Sequence, residues 1–475
     1  NGTGGASLAD RGVTTPSVEL DIPVFTRGNP LEDTEATEAT EATEATEATE
    51  PEDTQPAQIP VIKDPRENTL AVHREAGKEV TPQSPAFGTA VTREQVKTIT
   101  VLYSIQNAPE DAVDVSQQQN GKVLAWTVPN GELYDLYLAA EGGIYAPADS
   151  IQLFGYFTNV QKIEFNGVFF TDNVVDASGM FYKDEKLVEM DVSGFRTANM
   201  TNMSFMFSYC YLLEKLDVSG FDTAKVTDMN TMFQHCESLR TLDVSGFDTA
   251  NVTDMQHMFN GVKYVPVLDV SGFDTAKVTN MMCMFHECGA VKELDVSGFD
   301  TDKVTSMAAM FKDCAAVEEL DISGFDTTKV NNMNSMFSGC TSLQTLTVSP
   351  DINTVRVTDM EAMFRDCAAL KALDVSGFDT ANVISMDSMF SGCQSLQKLD
   401  VAGFDTKNVS EMGFMFSQCS ALTALDVSGF NTAKVTDMEC MFQDCRNVTA
   451  LAVDNFNTRE VQNMGRMFLD CSSLQ

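Results

Sequence analysis

A block of 26 residues recurs eleven times between about Met190 and the end of the chain, in the form L-D-V-S-G-F-D-T-x-x-V-T-x-M-x-x-M-F-x-x-C-x-x-L-x-x. The Phe after Gly marks the beat at Phe195, Phe221, Phe247, Phe273, Phe299, Phe325, Phe378, Phe404, Phe430 and Phe456, with Ile352 one residue late in the remaining place. A fixed period of this size predicts stacked coils, because one coil alone has nothing to cover its apolar edge. The expected fold class is an α/β solenoid, with one short parallel strand plus a short helix or turn per coil. Eleven right-handed coils at the spacing of neighbouring strands would form an elongated body of about 50 Å.

The repeat around Phe247 shows how a coil is built. Leu242-Asp243-Val244-Ser245 alternates apolar and polar, as a strand with one buried face does. Leu239, Leu242 and Val244 are expected inside, and Asp243 and Ser245 outside. Gly246 permits a turn, after which Phe247 folds back in, so that successive repeats stack an aromatic column. Val252, Met255, Met258-Phe259 and Val262 follow at helical offsets, with Thr253 as a cap and Asp254 at the N-terminal end. The segment is short, so one or two tight turns is an equally natural outcome. The methionine stripe reads as core filling.

Ten of the twelve Cys occupy one phase of the repeat, from Cys210 and Cys236 through Cys288, Cys314, Cys340, Cys367, Cys393, Cys419 and Cys445 to Cys471. Side chains at one phase point the same way, which is poor geometry for disulfides. Val262 and Asp184 hold the same slot elsewhere. A buried, reduced thiol column is expected, with Cys283 and Cys440, in a variable slot, the most reactive. No CxxC pair or other zinc spacing is present.

Ahead of the repeats the chain changes character. Residues 1–65 read as a disordered acidic stalk rich in Thr, Glu, Ala and Pro; Glu32 to Asp53 holds ten carboxylates and no base. Residues 66–90 read as a linker. Residues 91–165 form a β-rich N-terminal cap, with strands at Val96–Tyr103, Val123–Val128 and Leu133–Leu138, which covers the open edge of the first coil. Residues 166–475 form the repeat array, which stops at Gln475 inside a repeat and so reads as truncated. Net charge is −38, which argues against binding nucleic acid or an anionic membrane. No apolar run is long enough to span a bilayer directly.

Two carboxylate columns follow from the period. One accompanies Phe (Asp222, Asp248, Asp274, Asp300, Asp326, Asp379, Asp405), where it can bond turn amides. The other lies on the strands with Ser, and supplies the candidate binding face: Asp217, Ser219, Asp243, Ser245, Asp269, Ser271, Asp295, Ser297, Asp321, Ser323, Asp374, Asp400 and Asp426. Like charges at strand spacing disfavour ionisation unless water, a cation or hydrogen bonds offset them. Carboxylates at that spacing suit Ca²⁺, but no EF-hand or Gly-rich nonapeptide occurs, and a solvated face for a basic protein is the stronger reading. His73, His235, His257 and His286 are scattered and read as solvent decoration. No nucleophile elbow, P-loop or zinc motif is present, so no catalytic residue, cofactor or metal is assigned.

The frame L-x-x-L-x-V-x-x-F resembles the leucine-rich repeat. The fuller string L-D-V-S-G-F-D-T-A-K-V-T-D-M-x-x-M-F-x-x-C-x-x-L resembles the BspA-like leucine-rich-repeat surface proteins, over residues from about 150 to 475. The resemblance implies a secreted or cell-surface bacterial protein, with adhesion to host or matrix proteins in some relatives and no enzymatic activity. The expectation is thus a surface repeat protein that presents an acidic face to a protein partner. A structural wall or surface-layer spacer, and the non-catalytic targeting region of a larger surface enzyme, are the alternatives. Departures from the pattern occur at Ser349-Pro350-Asp351-Ile352, at Tyr264-Val265-Pro266 and at Ala452 and Asn455.

Overall fold

The computed structural model describes residues 65–71 and 80–475. The Thr-Glu-Ala tract and His73 lie outside them. Three runs rich in β-branched and aromatic residues open the ordered β-structure: β1 (Val96–Leu102), then β3 (Val123–Asn130) and β4 (Leu133–Ala140), which follow the short β2 (Val113–Asp114). Asn130-Gly131 closes the β3–β4 hairpin, and Gly131 takes the left-handed φ of 69° that the turn requires. Trp126 and Tyr137 stack across this pair at 5.4 Å.

The hairpin joins the repeats through one sheet. β4 lies parallel to β1, and β1 lies parallel to β6 (Lys162–Glu164) in the first repeat, with Ile99 opposite Ile163. β6 in turn pairs with β8 (Glu189–Met190), while β5 (Ile144–Tyr145) pairs with β7 (Phe169–Phe170). The edge of the first repeat is therefore covered by β1. The repeating frame already begins at Asp149, which bridges Asp176 in the next repeat.

Beyond this point the molecule is a repeat fold without helices; the only helical turns among the described residues are 3-10, at Pro65–Asn68 and Arg93–Gln95. The stretch with helical apolar spacing is a row of tight turns. In the repeat around Met255, the amides of Met258, Asn260 and Val262 bond locally to carbonyls three residues back. The amides of Met255, His257, Phe259 and Gly261 bond instead to Asn280, Met282, Met284 and His286 of the following repeat. Left-handed residues allow this alternation: His257 has φ 55° and Gly261 φ 78°, and each later repeat has the same pair. The parallel bridges run along this row, from Asp149 through Asp254 to Asn463.

The expected strand at L-D-V-S is mostly not a hydrogen-bonded strand. Pairing there is confined to β6–β8, to β9 (Glu319–Asp321) with β10 (Thr345–Thr347), and to the bridges Val267–Glu293 and Ala372–Lys398. On these segments Asp243 Oδ1 accepts the Ser245 amide at 3.1 Å, and the same bond recurs in other repeats, including Asp321 with Ser323 in the paired β9.

The core also differs in detail. The stacked aromatic column is made by the Phe after Met, from Phe154 and Phe181 to Phe442 and Phe468, with ring centroids 5.5–5.8 Å apart and planes within 4–9°. Phe247 and its equivalents from Phe195 to Phe430 are buried beside that stack, and Phe456 is partly buried. Each ring stabilises by about 1.5–3 kcal/mol on burial. Thr249 and its equivalents form a polar ladder, each hydroxyl donating to a carbonyl of the next repeat, as in Thr249 to Asp274 at 2.9 Å and Thr432 to Asn457 at 3.2 Å.

The thiol column is free of disulfides, and its members are buried except for the half-buried Cys471. Each thiol donates to the carbonyl of a stacked Phe in the preceding repeat, at 2.9–3.3 Å. Cys440, expected to be reactive, is only 2% exposed, whereas Cys283, in the same slot, is half-buried.

Gly246 lies outside the left-handed region, and a Cβ there would meet Ser219 O at 3.6 Å, an ordinary contact. It is not required for the turn. Gly377 is different, since the extra residue at Pro350 pushes a carbonyl to 2.8 Å from its Cβ position. Gly246→Ala is therefore expected to change stability by less than about 0.5 kcal/mol, and Gly377→Ala to cost about 1–3 kcal/mol, in chemical denaturation.

Burial pushes the thiols of Cys340, Cys393 and Cys445 up to about 12, and raises the rest of the column too. The unfolded chain releases these protons first, near pH 8.5, so stability is full below that pH and is lost as pH rises towards 12. The denaturation midpoint should stay level up to about pH 8.5 and fall steeply above it. Replacing Cys340 and Cys393 by Val, as at Val262, should flatten that fall, and an unchanged slope would dismiss the thiols as its cause.

Candidate functional site

The Asp and Ser side chains singled out on the L-D-V-S segments are all exposed. They alternate with buried Leu and Val, so the pleat places the polar pair outward in every repeat. Within a repeat the pair is closed on itself. Ser271 Oγ donates to Asp269 Oδ1 at 2.7 Å and Ser271 N donates to the same oxygen at 3.1 Å. The arrangement repeats at Asp217–Ser219, Asp243–Ser245 and Asp295–Ser297. At Asp321, Asp374 and Asp426 the amide bonds of Ser323, Ser376 and Ser428 are kept, and at Asp400 the donor is the Ala402 amide.

These bonds bear on ionisation at five positions of the face. The serine hydroxyl first, and its amide second, hold the carboxyls of Asp269, Asp295, Asp321, Asp374 and Asp426 below the usual aspartate range. At these five positions the repulsion expected between stacked carboxylates is thus offset from within the repeat. Carboxyls in the turn row behave oppositely. Burial, then neighbouring carboxylates, raises Asp254 and Glu361; burial raises Asp387, against a bond from Ser388. Among the described residues, no group of three or more His, Cys, Asp or Glu side chains is arranged to hold a metal ion.

The face is indented where β9 and β10 pair. A hollow of about 630 Å³ is lined by Glu293, Asp295, Glu318, Glu319 and Asp321, with Lys292 and the Thr345 and Thr347 side of β10. A smaller hollow of about 480 Å³ lies at the first repeats, where Lys162 bridges Glu164 at 2.9 Å and Glu189 at 3.5 Å. The charge of the second is largely neutralised; that of the first is not.

The Asp residues after Phe have a structural use. Asp248 Oδ1 accepts the Ala250 amide at 3.1 Å, and Asp222, Asp274 and Asp379 do the same in their turns. They form no shared site with the strand-side Asp.

Sequence reasoning missed a second surface on the turn row. Tyr156, Tyr182 and Tyr209 are neighbours, with centroids 5.2 and 5.7 Å apart, and Tyr209 lies 5.0 Å from the His235 ring. Lys183 Nζ lies 5.2–5.7 Å from all three tyrosine ring centres. Tyr156, Lys183, Tyr209 and His235 share one slot, two residues after the stacked Phe, and Tyr182 stands one place before it, so the column mixes residue types; four of the nine Tyr between positions 156 and 211 was the available signal. The histidines are also less scattered than their slots suggest. His257 is lowered by burial and then by the charges of His286 and His235, and His286 Nε2 lies 3.4 Å from Asp313.

The geometry defines a protein of stacked repeats with polar display faces, and no helix among its described residues is long and apolar enough to cross a membrane. Residues 151–267, 262–372 and 347–448 match the family described as Mycoplasma protein of unknown function, DUF285. These matches cover more than half of the chain, and the chain belongs to that repeat family. None of the curated proteins matches it.

Ser297→Ala should raise the Asp295 carboxyl towards the ordinary aspartate value by removing its leading stabilising bond. Carboxyl NMR titration reads this directly, and an unchanged Asp295 would show that solvent, not Ser297, sets its charge.

Proposed function

We propose that this chain is a non-enzymatic, BspA-like bacterial protein, secreted or held at the cell surface, whose leucine-rich-repeat solenoid presents an acidic face to a basic protein partner. The observation that carries this reading is the exposed Asp-x-Ser row, repeated along the array, with serines that hold the carboxyls of Asp269, Asp295, Asp321, Asp374 and Asp426 below the usual aspartate range. A fixed negative row steers a positively charged partner and repels acidic ones. The hollow at Asp295 and Asp321 supports the same reading, because it adds Glu293, Glu318 and Glu319 to the row with one lysine among them. Identical repeats multiply weak contacts, so affinity on such a face grows with the number of repeats engaged.

The test is a pull-down from host plasma and matrix proteins, at low and high salt, with Asp243, Asp269, Asp295 and Asp321 unchanged or all changed to Asn. Binding that falls about tenfold or more in the variant, and weakens with salt, is expected. Binding that persists unchanged in the variant removes the acidic face as the contact and directs attention to the Tyr182–Lys183 surface. No binding at all, with normal incorporation into the cell wall, favours a structural spacer.

A further inference from the structure

The corner after each Phe247-type ring carries two rows of opposite charge. Asp222, Asp248, Asp274, Asp300 and Asp326 form the first, and Lys225, Lys277, Lys303, Lys329 and Arg356, three residues further along their repeats, form the second; all are exposed. Ala224, Ala250 and Ala276, then Asp302 and Thr328, stand between the rows. The turn between them is fixed by buried neighbours, as where the Val226 amide donates to the Thr223 carbonyl at 2.9 Å. The basic row is continuous along the array. Lys225 Nζ donates to Asn199 Oδ1 at 2.8 Å, Lys277 Nζ to Asn251 Oδ1 at 2.6 Å and Lys303 Nζ to the Ala276 carbonyl at 2.6 Å, each one repeat back.

These acceptors are uncharged. Among the described residues, the ion pairs of this corner are Arg196 with Asp172 and Lys407 with Asp405, both outside the stretch from Asp222 to Arg356. The five Asp of the first row each use Oδ1 on the amide two residues on, which fixes them at the turn without neutralising them. The stretch is therefore a nearly balanced strip, of unpaired rows, on a chain whose net charge is −38.

We propose that this strip joins two copies of the chain side by side, about a two-fold axis parallel to the array. Both rows take their spacing, about 4.8 Å, from the repeat, so a second copy presents its charges at the same pitch without adjustment. Rotation about that axis sets the Asp row of each copy against the Lys row of the other, with every repeat opposite itself. The antiparallel pairing would set Asp against Asp and Lys against Lys. The small residues lie along the axis and let the turns approach; Asp302 meets its counterpart there and is a cost. Exposed ion pairs are weak singly, so the contact depends on many acting together. It uses none of the Asp-x-Ser residues.

Sedimentation equilibrium of the full chain, up to about 1 mM in about 0.15 M salt, tests this with two variants. One carries Lys277→Glu, Lys303→Glu and Lys329→Glu; the other carries Asp274→Lys, Asp300→Lys and Asp326→Lys. The unchanged chain should dimerise, and either variant alone should show a Kd raised about 10²-fold or more, because like rows then face each other. Mixed in equal amounts, the two variants should pair to within about tenfold of the unchanged chain, since each row again meets its opposite. If the lysine changes at the Asp positions prevent folding, Asn at the same three positions keeps the Oδ1 bond and should still weaken the dimer about tenfold. Asp302→Ala should leave the pair at least as tight. A chain that stays monomeric, a variant that still pairs with itself, variants that do not pair on mixing, or a weaker Asp302→Ala dimer would each overturn the proposal. Association lost in the Lys variant and kept in the Asp variant would place the Lys row against another acidic surface, which overturns it too.

Discussion

The alternation of backbone bonds in the V-T-x-M-x-x-M-F-x-x-C row is the constraint from which the rest follows. One amide bonds to the next repeat and the one after it bonds within its own turn. Neither a helix nor a flat strand permits this, and the row takes two left-handed residues per repeat to achieve it. Each such non-glycine residue costs about 1–2 kcal/mol. The return is that every repeat is locked to the next through several parallel bonds, at one spacing. That spacing brings the Phe rings into van der Waals stacking and places each thiol beneath a Phe carbonyl. Phe and Cys columns are consequences of the bonded row, and they bury the surface that stabilises it.

Much of this was legible and part of it was not, for physical reasons. The period, the inward Leu, Val, Met and Phe, and the reduced thiol column follow from repetition and burial alone. Strands β1, β3 and β4 follow from their β-branched and aromatic runs. The turn row was ambiguous, because successive tight turns and a helix share an apolar period of three to four. Only the left-handed residues distinguish them, and His257, Cys283, Ala309 and Ser335 in that slot carry no common chemical signature. That a second Phe forms the face-to-face stack was not legible for a related reason. Both Phe residues recur with the same period, and periodicity cannot say which ring lies on the axis of stacking.

The exposed side of the L-D-V-S segments is tied down within each segment. Asp243 takes the Ser245 amide and hydroxyl, and Asp321 keeps the Ser323 amide bond even where β9 pairs with β10. The local bond and the ladder are thus compatible, because the amide that joins β9 to β10 is that of Ile322, between the two. The segments can dispense with a continuous ladder because the turn row already holds the repeats together.

An array of near-identical repeats has no intrinsic origin, and register is its general hazard: any repeat can accept what any other accepts. Distinctness must come from residues that break the pattern. Asp184 breaks the thiol column at the second repeat; the extra residue at Pro350 presses on Gly377; Tyr156, Tyr182 and Tyr209 crowd the turn face of the first repeats only. Each break costs something locally, as burial of the Asp184 carboxyl does in desolvation. Such costs are retained where an otherwise uniform surface has to be told apart from itself. The regular positions in this chain thus build and charge the surface, and the irregular ones give it direction.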